Sequence, residues 1–182
     1  MNPRHLHAPL SLAIAFALVI LALLAGAGAA RADSGGVGLD PPAGSNGGAY
    51  HDAKLKNGKA IAPASAPARV KRAIRAANEI RKTKYVWGGG HGSFNDKGYD
   101  CSGAVSYMLH GARMLKAPTT SGGLMGWGSK RAGKWITVYA NSGHTYAVVA
   151  GLRWDTSGSP GPRWHRGGRS SAGFAVRHYR GF

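Results

Sequence analysis

The sequence has one cysteine, Cys101, and few acids: 7 Asp and Glu stand against 24 Lys and Arg. Glu79 is its one glutamate, and after Cys101 the only carboxylate is Asp155. Each shortage excludes a class of chemistry. One thiol forms neither an internal disulfide framework nor a paired-cysteine metal site, and no His-Glu-x-x-His run offers zinc a helix face. Glycoside hydrolysis needs two well-placed carboxylates. Only Asp96 and Asp100 lie close together, and Asp100 is better explained as a helix cap. Gly88–Gly90 lacks the Lys and Ser/Thr of a phosphate loop. No metal and no cofactor are therefore expected. No motif of a nucleic-acid module is present either, so nucleic acid is not an expected partner despite the positive charge.

The one long apolar run, Leu10 to Ala30, follows a basic start containing Arg4 and ends at Ala30-Arg31-Ala32. That order predicts a signal peptide over residues 1–32, with small residues where a signal peptidase reads. An uncleaved anchor is the alternative; after cleavage no stable membrane insertion is expected. The mature chain is then secreted, to a bacterial cell wall or periplasm. Residues 33–64, rich in Gly, Pro, Ala and Ser, read as a flexible linker, and one domain is expected over 65–182. The formal charge of +17 for the whole chain attracts polyanions, such as anionic wall polymers. Export also changes the meaning of the lone thiol. Cysteines in oxidising compartments usually pair, so one without a mate is flagged as reactive.

Ala104, Val105, Met108, Leu109 and Ala112 follow Cys101 at helical spacing, which puts the thiol in the first turn and Asp100 at the N-cap. The helix N-terminus favours thiolate, whereas the Asp100 charge opposes it, so a nucleophilic cysteine here needs a histidine partner. Val70, Ile74, Ala77 and Ile80 predict an earlier packing helix. After the cysteine helix, Trp135–Ala140, Thr145–Ala150, Leu152–Thr156 and Phe174–Tyr179 read as strands, with 88–98, 118–134 and 157–168 as loops. Helices first, then an antiparallel sheet, gives an α+β fold. Of eight histidines, His144 stands out because it follows Gly143 and opens a strand. Asp155 lies at the far end of the same hairpin, and pairing across Ala150-Gly151 brings the two side by side. A buried structural cysteine and a satisfied turn aspartate are the competing readings of Cys101 and Asp155.

Tyr85-Val86-Trp87-Gly88-Gly89, then Asp100-Cys101-Ser102-Gly103, then Gly143-His144 opening a strand together resemble the NlpC-type (NlpC/p-sixty) cell-wall cysteine peptidases. The resemblance covers roughly residues 65–158. It implies a reduced papain-like fold, with the nucleophile's helix packed against an antiparallel sheet that carries the histidine. It also implies catalytic roles: Cys101 as nucleophile, His144 as general base and acid, and Asp155 as the polar residue that orients the histidine. Tyr85 would hold the oxyanion with the Cys101 amide, and Ser102 and Trp87 from the same motifs are grouped with it as oxyanion or substrate residues. The expected activity is hydrolysis of amide bonds in peptidoglycan stem peptides through a thioester. Four departures are visible. The third residue of the family is more often histidine or another neutral polar group than aspartate, and Pro118-Thr119-Thr120-Ser121 only partly follows the family's segment after the helix. Lys134-Trp135-Ile136-Thr137 stands where the family has Pro-Gly-Asp, and the chain after Asp155 has no familiar counterpart. The alternatives are a non-catalytic cationic wall-binding domain and an amidase or acyltransferase of the same fold acting on another substrate.

Overall fold

The structure, a computed structural model, describes residues 52–182. The expected signal peptide and most of the expected linker lie outside the described residues. The first described element corrects the remainder of that linker: strands β1 (Lys54–Lys56) and β2 (Lys59–Ile61) form an antiparallel hairpin. Asn57 and Gly58 between them both have positive φ, the backbone of a two-residue primed turn. The hairpin is poor in apolar residues, which is why composition reads it as linker. It is held instead by polar groups. The Asn78 side-chain amide donates to the Ala60 carbonyl at 2.8 Å and accepts from the Ala60 N–H at 3.0 Å, as a neighbouring strand would.

Helix α1 (Ala68–Ile80) carries Asn78 and buries Val70, Ala73, Ile74, Ala77 and Ile80. Two short strands follow, β3 (Lys84–Tyr85) and β4 (Gly98–Tyr99), paired in parallel so that Tyr85 lies opposite Tyr99. The pairing returns the chain from the glycine loop and delivers it to helix α2 (Cys101–Gly111), which packs against α1. Asp100 caps α2, its Oδ1 accepting from the Gly103 N–H at 2.7 Å. The glycines here serve close approach. A Cβ at Gly103 would collide with the Gly89 carbonyl oxygen, so a larger residue would push the loop off the helix head.

Residues 118–134, expected as loop, contain helix α3 (Ser121–Leu124) and strand β5 (Ser129–Lys130). Two adjacent glycines hide the helix from propensity; Thr120 caps it through Gly123 N–H. Four strands then follow: β6 (Ile136–Ala140), β7 (Thr145–Val149), β8 (Leu152–Asp155) and β9 (Arg163–His165). β10 (Ala175–His178) closes the chain, and the antiparallel sheet has the order β5-β10-β6-β7-β8-β9. β9 corrects the expected 157–168 loop. At three residues it is too short to show a period, and it is anchored by Trp164, whose ring centre lies 5.0 Å from that of Trp154.

The result is an α+β fold in which α2, with Cys101 at its head, packs against an antiparallel sheet. Trp154 is fully buried in this interface, and its indole N–H donates to the Ala104 carbonyl at 3.2 Å. That bond pins β8, and with it the neighbouring Asp155, to the first turn of the cysteine helix. Trp154→Phe is expected to cost about 1–2 kcal/mol, from one buried hydrogen bond plus a small void. A urea unfolding midpoint unchanged from wild type would show that the pin contributes nothing. Among the described residues no helix is long and apolar enough to cross a membrane.

Candidate active site

The register of the sheet sets the geometry. Ala147 pairs with Trp154 on the helix-covered face, which leaves Tyr146 and Asp155 on the other. His144, just before β7, shares that face and stands at the end of the sheet near the head of α2. Its Nε2 lies 2.9 Å from Asp155 Oδ1 and 3.1 Å from Ser157 Oγ. The ring also hydrogen-bonds the Cys101 side chain. Since Nε2 is engaged by Asp155 and Ser157, Nδ1 is the nitrogen left to face sulfur. The sequence-predicted trio of Cys101, His144 and Asp155 is therefore brought together in space.

Burial and partnership oppose each other at this cluster. Burial acts to lower the His144 pKa, but hydrogen bonds to Asp155 and Cys101 and their negative charges outweigh it and raise the value to about 9. Asp155 has a side chain 0% exposed, and burial acts to raise its pKa. The His144 contact, the Ser157 N–H and Arg169 more than reverse this, leaving it at about 2. Aspartate is thus ionised and imidazole protonated at neutral pH. Cys101 is buried, with 9% of the residue exposed.

The motif residues divide. Tyr85 is held close enough to feel Cys101 and Asp100. Burial first, and then those two charges, push its phenol pKa upward, so it stays a protonated donor. Trp87 is 84% exposed beside the glycine loop. Ser102 turns inward. Its hydroxyl donates to Asp100 Oδ1 at 3.1 Å and lies 3.1 Å from His91 Nε2, so its side chain serves the helix cap.

Sequence reasoning missed four groups. His91, set aside as a glycine-loop residue, places Nε2 3.1 Å from both Asp100 oxygens. Ser157 and Arg169 from the expected loop and tail, and Arg153 from β8, surround Asp155. Only Arg153 carried a signal, since a residue two positions before Asp155 on a strand shares its face. Among the described residues no three His, Cys, Asp or Glu side chains converge as ligands for a metal ion.

No protein-family model and no curated protein matches the chain. Among solved structures it is similar to a hypothetical invasion protein of Mycobacterium tuberculosis, at 22% identity and a TM-score of 0.48, over 61% of this chain and 62% of that one. A mutated form of the resuscitation promoting factor interacting protein RipA gives the same figures. RipD from Mycobacterium tuberculosis, described as a non-catalytic NlpC/p60 domain protein adapted to peptidoglycan binding, matches at 18% identity and a TM-score of 0.47. That match covers 62% of this chain and 98% of RipD. The chain spans less than two thirds of the length of the first two.

Proposed function

We propose that the chain is an exported cysteine peptidase of the NlpC type, hydrolysing amide bonds in peptidoglycan stem peptides. The observation that carries the reading is the 2.9 Å contact between His144 and Asp155 on an imidazole that also hydrogen-bonds Cys101 at the head of α2. The thiol proton of Cys101 resides on His144 as an imidazolium held by Asp155, leaving the sulfur as the attacking thiolate. The thiolate attacks the amide carbonyl, and the tetrahedral oxyanion takes hydrogen bonds from the Cys101 amide and the Tyr85 hydroxyl. As the C–N bond breaks, His144 passes its proton to the leaving amine, and a thioester remains. Water, deprotonated by His144, then attacks the thioester, and the C–S bond breaks to free the acid and restore the thiolate–imidazolium pair. Tyr85 and Trp87 form an exposed aromatic rim where a substrate approaches, and the formal +17 favours an anionic wall around it.

The test is incubation of the chain, and of Cys101→Ala, with purified wall fragments under reducing conditions. Wild type is expected to release shortened stem peptides, read by mass spectrometry, and the variant to release none. Retention on the wall by both proteins with no product assigns the chain a binding role instead. Cleavage by the variant as well would remove the thiol from the chemistry.

A further inference from the structure

The segment after Asp155 falls outside the resemblance, yet it builds most of what surrounds that carboxylate. Asp155 Oδ1 accepts from His144 Nε2 at 2.9 Å and from the Ser157 N–H at 2.9 Å. Oδ2 lies 3.1 Å from Arg169 Nη1 and 3.4 Å from Arg153 Nε. The same Arg169 Nη1 donates to Ser157 Oγ at 2.6 Å, and that hydroxyl is itself 3.1 Å from His144 Nε2. One guanidinium thus holds both groups that touch Nε2 of the imidazole.

Arg169 lies in turn over two aromatic rings. Its central carbon lies 5.5 Å from the centre of the Tyr146 ring and 5.6 Å from that of Phe174. Phe174 stands edge-on to Tyr146 at 5.3 Å and to His144 at 6.4 Å. A carboxylate fixed through one oxygen only can swing about its last torsion. With Oδ2 occupied by two arginines, Oδ1 is left facing Nε2. We propose that Arg169 is a positioning residue for the Cys101–His144 pair, clamping Asp155 and Ser157 so that Nε2 is fixed and Nδ1 is turned toward the sulfur. The proposal rests on the reading of that pair as the reacting centre. Arginine suits the task because its planar fork gives directed donors and stacks between rings, which a lysine ammonium does not.

The charged and titratable groups facing this cluster are Cys101 from α2, Tyr139 from β6, Tyr146 from β7, Arg153 from β8, Arg163 and His165 from β9, and Arg169 itself. Removing Arg169 has two opposed effects on the imidazole. A loosened Asp155 supports the imidazolium less, and a lost positive charge disfavours it less. The first acts through a direct hydrogen bond and the second from behind the carboxylate, so the first wins.

Arg169→Gln is expected to lower kcat on wall fragments about 10–100-fold with KM changed less than twofold, as misplacement of a reacting group does. It is also expected to move the alkaline limb of Cys101 alkylation by iodoacetamide to lower pH. Arg169→Lys should recover part of the lost kcat. A glutamine variant with a lowered melting temperature but wild-type kcat and an unmoved alkaline limb would reduce the clamp to a structural strap and overturn the proposal. Should that variant fold poorly, Ser157→Ala carries the same two measurements; an unmoved limb and unchanged kcat there overturn it equally. His144→Ala separates the two levels. If it leaves alkylation unchanged, the reacting pair itself is wrong. If it removes the alkaline limb set by the imidazole while Arg169→Gln does not shift that limb, only the clamp is wrong.

Discussion

Replacing His144 with alanine is expected to lower turnover on wall fragments by about three orders of magnitude, the middle of the range for loss of one positioned acid–base group. The side chain is asked to do three things: hold the thiolate as its imidazolium partner, protonate the leaving amine, and activate the hydrolytic water. Loss of all three argues against a mild phenotype. The effect should fall on kcat more than on KM, because His144 lies beside the sulfur rather than on the exposed rim of Tyr85 and Trp87. Alkylation of Cys101 supplies a reading independent of any substrate. In wild type its pH profile should change with an apparent pKa near the His144 value of about 9. In the variant that inflection should vanish. A His144→Ala protein retaining more than about a tenth of wild-type turnover would remove imidazole from the mechanism.

The sequence revealed the site more fully than it revealed the sheet. Cys101 and Asp100 were legible because capping and helical periodicity are local, set by residues within one or two turns. His144 and Asp155 were legible because the short Ala150-Gly151 turn leaves a hairpin little choice of partner, and both residues of that turn adopt positive φ. The resulting register pairs Val149 with Leu152, which places His144 and Asp155 on one face. What stayed hidden depends on distant contacts. The β1–β2 hairpin is fastened by Asn78 from a helix 18 residues on, and β9 by a single indole. Arg169 sits 14 residues beyond Asp155 in a glycine-rich stretch without periodicity, so nothing local links it to the carboxylate it meets. Trp135, Trp154 and Trp164 are buried, the commoner place for aromatic residues in a small domain. Trp87 is the one that stands in solvent beside the motif.

Asp155→Asn should change both stability and pH dependence, with directions fixed by the contacts. The aspartate faces one imidazole and two guanidiniums, and removing its charge leaves those cations against a neutral amide. A sealed ion pair broken in this way costs about 3–5 kcal/mol; with Arg169 32% exposed, about 2–3 kcal/mol is expected near pH 6. His144 has a folded-state pKa of about 9 against an ordinary 6.5, so its contribution is fully present below pH 6.5 and is lost as pH rises through 9. Asp155, at about 2 against an ordinary 3.8, contributes above pH 3.8 and loses that contribution as pH falls through 2. Both limbs report the same contact. Wild-type stability should therefore be flat between about pH 4 and 6.5 and decline on either side, whereas the Asn variant should be lower and should lack both declines where these two groups cause them. Its alkylation inflection should move from about 9 toward the ordinary histidine value, since burial then acts on His144 without the carboxylate to oppose it. Urea unfolding at pH 4, 6 and 9, with alkylation across the same range, checks both. An Asn variant with the wild-type alkaline limb would mean that Asp155 orients nothing, and the third member of the site would have to be sought among Ser157 and His91.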